Sequence, residues 1–383
     1  MKKRKRINII VFILLIFIIL ISFVTSIVLY FNKEQMYTKT QIEEELKEII
    51  EEEQIIDEKR MSLVAVGDAL IHSGVYYDAS IGNGNYDFSN MFTEITPLIQ
   101  DYDLKYYNQE TIIGGKKLGV SNYPRFNSPD EIGLDMIKAG FNMVSLANNH
   151  SLDKNEEGVV YSVNFWNNTN AIVSGQNISF EDRDSKIKVY EQNGIKYAFL
   201  AYTNSTNGLT MPKGKEYLVN LYSNEQAYED INKIKDDVDV IIVSMHWGDE
   251  YSHTPNDLQK EQAKYLSNLG VDLILGSHPH VIQPVSYVDN TLVIYSLGNF
   301  ISAQWTLGLN KIIGLMVGMD IVVKEDSVIF ENIVYNLLYT YCTSNYKNFK
   351  VIPFDNLTDD TLKNHEIIEQ EYLNIVKKEV IYD

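Results

Sequence analysis

Residues 7–32 contain no Asp, Glu, Lys, Arg or His, and residues 9–21 are all aliphatic or phenylalanine, while five of the first six residues are cationic. So long an apolar run folds stably only inside a bilayer or a protein core. A spanning helix needs about 20 apolar residues. The run exceeds the usual apolar core of a signal peptide and lacks a small-x-small cleavage site at its end. The cations before it and the acidic segment after it disfavour burial in a soluble core. The expectation is a cytoplasmic basic tail (1–6) and an uncleaved transmembrane anchor (7–32), with a cleaved signal as the alternative. By the positive-inside rule everything beyond residue 32 is translocated, giving a single-pass cell-membrane protein with an extracellular domain.

Residues 33–60 are acidic, with Ile42, Leu46, Ile49 and Ile56 at helical spacing. They read as a helical stalk, a solvated linker rather than a coiled coil, because too few heptads are present. The formal net charge is −19, although the first six residues contribute +5, so the remainder carries −24. Such a body is repelled by phosphate backbones and offers no basic stripe, which excludes nucleic acid as a partner. Cys342 is the single cysteine. An internal disulfide or a cysteine-based zinc site is therefore impossible, and a metal would have to sit on His, Asp, Glu and Asn.

From residue 61 short β-branched runs alternate with amphipathic stretches. Strands are expected at 62–66, 103–107, 143–146, 196–201, 238–244, 273–275 and 292–295, and helices near 130–139, 156–167, 224–235 and 256–269. This is the rhythm of a layered α/β domain over 61–340. Beyond residue 340 it fades, so 341–383 reads as a peripheral segment.

Polar residues cluster just past the apolar strands, where open α/β sheets bind ligands. Asp68 ends one run and Asn108-Gln109-Glu110 another; Asn148-Asn149-His150, His246-Trp247-Gly248 and His278-Pro279-His280 end three more. Singly each is an ordinary cap, turn or core residue. Together two acids, an Asn and three His make a mixed nitrogen and oxygen set large enough for two cations about 3.5 to 4 Å apart.

The ordered motifs Gly67-Asp68, Asn108-x-Glu110, Ala147-Asn148-Asn149-His150, His246-Trp247-Gly248-x-Glu250-Tyr251, His278-Pro279-His280 and Tyr295-Ser296-Leu297-Gly298-Asn299-Phe300 resemble the CapA/PgsA family of capsule, or poly-γ-glutamate, biosynthesis proteins. That family in turn resembles the calcineurin-like metallophosphoesterases. The resemblance implies a four-layer αββα sandwich of α/β class. It also implies two divalent transition-metal ions, Mn, Fe or Zn, with Asp68 and His280 on one, Asn149, His246 and His278 on the other, and Glu110 bridging. His150 would protonate the leaving group. Implied partners are a polyanionic polymer or phosphoester substrate and the membrane proteins of a capsule synthesis complex.

The chain departs from the phosphoesterase pattern in two places. The first-strand histidine lies four residues after Asp68, at His72, which either supplies the missing ligand or faces away. Glu110 replaces the usual bridging Asp. Trp247 and Glu250 line the site or orient His246; Asn299 bonds a substrate or forms a turn. His253 and His365 have no supporting constellation. Three functions compete: a surface metal-dependent hydrolase acting in polymer synthesis or export, a scaffold of the export complex that does no chemistry, and a stand-alone metallophosphoesterase.

Overall fold

The computed structural model describes residues 2–53, 58–305, 308–325 and 327–382, which form two units dividing between residues 57 and 58. The first is one helix, Lys2–Glu53, of 52 residues, about 78 Å long at 1.5 Å per residue. Its stretch 14–44 is long and apolar enough to cross a membrane by length and composition. The segment expected to be a stalk therefore continues this helix without a break to Glu53; Ile56 lies outside the described residues.

Side-chain alternation builds the layers of the second unit. In strand Glu58–Ala69, Met61, Leu63 and Ala65 join one core while Val64 and Val66 join another. In strand Ile195–Thr203, Tyr197, Phe199 and Ala201 enter that same first core, and Leu200 and Tyr202 enter a third. The first core is thus sandwiched between two sheets. Helix Asp130–Ala139 closes the second core with Ile132 and Met136. Helices Asn224–Asn232 and Asp257–Asn268 close the third with Ile231 and Leu266. The result is the expected helix, sheet, sheet, helix stack.

The larger sheet runs Lys350–Pro353, Ser327–Tyr341, Ile313–Lys324, Glu58–Ala69, Leu104–Asn108, Met143–Ser145, Ile172–Ser174, with Asn299–Ile301 also beside Glu58–Ala69. The smaller runs Val285–Val288, Thr291–Ile294, Leu273–Ser277, Val240–His246, Ile195–Thr203, Tyr190–Gln192. Glu58–Ala69, Leu104–Asn108, Met143–Ser145 and Ile172–Ser174 are mutually parallel, as are Ile195–Thr203, Val240–His246, Leu273–Ser277 and Thr291–Ile294. Within each set the carboxyl ends share one edge.

Two glycines let backbones close up there. A Cβ on Gly67 would lie 1.8 Å from the Gly298 carbonyl oxygen, and one on Gly276 would lie 2.1 Å from the Tyr295 carbonyl oxygen.

Two expected boundaries differ. The domain starts at Glu58, because Glu58, Lys59 and Arg60 are strand residues; Arg60 pairs across the sheet with Asp320 and Glu331, and Glu58 with Lys324. Segment 341–383 is not peripheral. It supplies edge strand Lys350–Pro353 and helix His365–Val376, and Ile352, Phe354, Tyr372 and Val376 are buried in the core between the sheets.

Candidate metal centre

The six expected ligands sit at the carboxyl ends of five parallel strands: Asp68, Glu110 and Asn149 on the larger sheet, His246, His278 and His280 on the smaller. All are buried except His278, which is partly covered. His246 Nε2 lies 3.0 Å from Asn149 Oδ1, 3.1 Å from His278 Nδ1 and 3.8 Å from Glu110 Oε1. Glu110 Oε1 lies 3.6 Å from His280 Nε2, and Asp68 Oδ2 lies 3.5 Å from His280 Nδ1. Ligands bonded at about 2.1 Å to one ion stand about 3.0 to 3.4 Å apart. Several of these donors are already at or near that spacing. Glu110, His278 and His280 also form a group whose ligand atoms lie within 4.8 Å of one another.

Glu110 supplies the strongest test of fit. Both its carboxylate oxygens are buried and have no hydrogen-bond partner. Burial pushes its carboxyl well above the usual range, with His280 acting against that. A buried carboxylate without donors is costly, and a cation among these nitrogen and oxygen atoms removes the cost. The residues present therefore fit divalent metal.

The histidines are held in complementary states. Burial, then the neighbouring His280, lowers His278 to about 4, and burial drives His246 well below its ordinary value. Burial acts to lower His280 as well, but Glu110 and Asp68, with Glu250 beyond them, raise it to about 9. His278 and His280 both have left-handed backbone, φ +95° and +58°, a conformation worth about 1 to 3 kcal/mol of strain each. The surrounding network fixes the rings. Ser277 Oγ is 2.9 Å from His246 Nδ1, so the Nε2 edge faces the cluster. Asn299 donates from Nδ2 to Lys311 O at 2.7 Å and Gln304 Oε1 at 2.9 Å, which turns its Oδ1 to His280 Nδ1 at 3.0 Å and directs His280 Nε2 to Glu110. Asn108 Nδ2 donates to Asp68 Oδ1 at 2.8 Å and lies 3.4 Å from His246 Nδ1.

The two adjacent asparagines divide their work. Asn148 Nδ2 donates to Gln109 O at 2.9 Å and its Oδ1 accepts from His150 N at 3.1 Å, which locks the loop. Asn149 is left to face His246.

His150 is held by a different carboxylate. Its Nδ1 is 2.7 Å from Asp153 Oδ2, which also accepts from Phe126 N at 2.7 Å. This pairing orients the ring and leaves Nε2 for proton transfer. His150 lines a cavity of about 330 Å³ together with His72, His280, Glu250 and Tyr251. Asp153 was not anticipated; its position three residues after His150 in one turn was the available clue. His72 lines the cavity too, but its Nδ1 faces the Leu70 carbonyl at 3.1 Å and the Ala303 amide at 3.3 Å, outside the converged group. Trp247 donates from Nε1 to Tyr295 O at 2.9 Å and stacks on Tyr295 in the third core, so it packs rather than lines. Glu250 is exposed at the cavity.

Residues 62–304, more than half of the chain, match the family model for the bacterial capsule synthesis protein PGA_cap. The chain belongs to this family. Among PGA_cap relatives, the PGA biosynthesis protein CapA of Bacillus subtilis is 33% identical over 168 residues, covering 43% of this chain and 44% of the relative. The capsule biosynthesis protein CapA of Bacillus anthracis is 27% identical over 265 residues, covering 65% and 62%. The chain thus spans between two fifths and two thirds of these relatives' length. Similar solved structures include a phosphatase of Mycoplasma pneumoniae, at 14% identity, 76% of this chain and 97% of that one, with TM-score 0.46. The calcineurin-like phosphoesterase YfkN of Bacillus subtilis is similar at 14% identity, 83% and 99%, with TM-score 0.43.

Proposed function

We propose that this PGA_cap member is a membrane-anchored metal-dependent hydrolase acting outside the cytoplasm in the synthesis or export of a capsule polymer such as poly-γ-glutamate. The observation that carries the reading is Glu110, buried without donors among Asp68, His246 and His280. Asp68, Glu110 and His280, with Asn149, His246 and His278, are the residues that would hold the metal. Two bound divalent cations, Mn, Fe or Zn, supply Lewis acidity at the scissile group and acidify water.

The chain's own residues do the rest. Asn299 and Ser277 keep the His280 and His246 rings in their ligating tautomers. Asp153 holds the His150 ring so that Nε2 gives a proton to the departing oxygen or nitrogen. Water adds to the phosphorus or carbonyl carbon, the bond to the leaving group breaks, and the products are an acid and an alcohol or amine. Leu70 and Phe126 form apolar walls of the cavity.

Elemental analysis of the full chain beside Glu110→Gln tests this. Wild type holds two ions and the variant loses them. Equal metal content in both proteins would end the reading. If wild type holds two ions yet cleaves neither phosphoester nor γ-glutamyl test substrates, the scaffold function replaces the hydrolase.

A further inference from the structure

The cavity beside the metal centre is walled mainly by rings. Tyr123 packs edge-on to Phe126 at 6.2 Å, and Phe126 packs edge-on to His72 at 5.3 Å and His150 at 4.7 Å. Tyr251 lies 6.0 Å from His280. Tyr123 is 70% exposed, an aromatic surface offered at the cavity without a covering side chain. Among the described residues lining this space no Lys or Arg occurs, and the carboxylate present is that of the exposed Glu250. Lys311 sits over the Tyr251 ring with Nζ 4.5 Å from the centroid, but it does not line the cavity.

The chemistry of these walls is selective. Pockets that hold a second phosphate or carboxylate present guanidinium or ammonium donors. Here an anion entering beside the metals would meet the Glu250 carboxylate and the exposed Tyr123 ring. An ammonium group would meet that carboxylate and an aromatic ring, groups that together bind cations. Its charge is also opposite in sign to that of the acidic body around it.

We infer that this cavity takes a primary ammonium group carried next to the scissile bond, so that the substrate is an amide or ester with a free amino group rather than a phosphomonoester. The inference rests on the proposed hydrolase for the position of the scissile bond. The preference for a cation, however, belongs to Glu250 and Tyr123 themselves. Glu250 acts here as a specificity determinant and not as a metal ligand, since it is exposed at the cavity wall whereas the six expected ligands are buried or partly covered.

Calorimetric titration of the full chain in detergent micelles tests this, with glycinamide, N-acetylglycinamide and inorganic phosphate as probes, in manganese-loaded and in chelated protein. Glycinamide is expected to bind about tenfold more tightly than its acetylated, uncharged analogue. Glu250→Gln is expected to bring that ratio close to one and to tighten phosphate binding severalfold, with metal content unchanged. Tyr123→Ala lowers the ratio without affecting metal. Equal affinity of wild type for the two amides overturns the inference, as does phosphate binding that ignores Glu250→Gln. Loss of an ion in Glu250→Gln overturns it too, by making Glu250 a ligand. If wild type binds no metal, the hydrolase reading falls, and the amide ratio in chelated protein still decides this one.

Discussion

His278 and His280 are two residues apart, both with left-handed backbone, yet one is lowered to about 4 and the other raised to about 9. Burial acts on both in the same direction; the difference lies in what faces them. His278 Nδ1 meets His246 Nε2 at 3.1 Å, the half of the site where neutral rings meet, and the neighbouring His280 lowers it further than Glu250 and Asp68 raise it. His280 faces Asp68 and Glu110, a half made of carboxylates. Without metal the carboxylate half keeps a proton where a cation would go, whereas the neutral half keeps free lone pairs. The two halves therefore differ in their competition with protons, and metal entering beside Asp68 and Glu110 must displace one.

The largest expected effect belongs to neither half. His150→Ala should lower turnover by about 10² to 10⁴-fold, the usual contribution of a positioned acid, with both ions retained by elemental analysis. Asp153→Asn should lower it less and shift the pH profile. If His150→Ala loses metal, His150 belongs to one of the halves and the division is wrong.

A smaller effect separates the halves directly. Asn299→Ala frees the His280 ring and should weaken binding of one ion by about 10 to 100-fold, leaving the ion at His246 and His278 in place. Metal titration showing both ions weakened equally would mean that the halves act as one.

The smallest effect is on the stability of chelated protein. His278 and His72, both at about 4 against an ordinary 6.5, contribute stability that is complete above pH 6.5 and is lost as pH falls towards 4. His280, at about 9, contributes stability that is complete below pH 6.5 and is lost as pH rises through 9. The melting temperature should therefore fall on both sides, and saturating manganese should remove the alkaline fall. A flat alkaline limb in chelated protein would show that His280 carries no proton there.

What sequence reveals about this site is which residues end the strands, since apolar runs finishing in Asp68, Glu110, His246 and His278 can be read directly. What it hides depends on tertiary neighbours. The opposite charging of His278 and His280 needs to know which carboxylates stand near each. Asp153 looks like any turn residue until Phe126 N and His150 Nδ1 meet on it. Strand Ile313–Lys324 escaped notice because residues 313–319 are all buried, and a run buried on both faces shows no alternation. The C-terminal segment misled because Phe354, Tyr372 and Val376 are scattered singly among polar residues, so their shared burial has no local period. Glu58, Lys59 and Arg60 read as stalk because the charges that pair with them, Lys324, Asp239, Asp320 and Glu331, lie far along the chain.

That distance has a bearing on how the molecule is made. Strand Glu58–Ala69 pairs with Ile313–Lys324 from 58 with 324 to 65 with 317, so between 252 and 266 residues of chain separate the paired positions. The strand at the centre of the larger sheet is the first of the domain to leave the ribosome, and one of its two flanks is filled almost last. Folding cannot proceed outward from the amino end as synthesis advances; the nascent domain carries an open strand edge until residue 324 is available. A chain built this way depends on protection from premature pairing until that residue has been made, and a truncation anywhere before residue 324 removes the partner on which the strand bearing Asp68 leans.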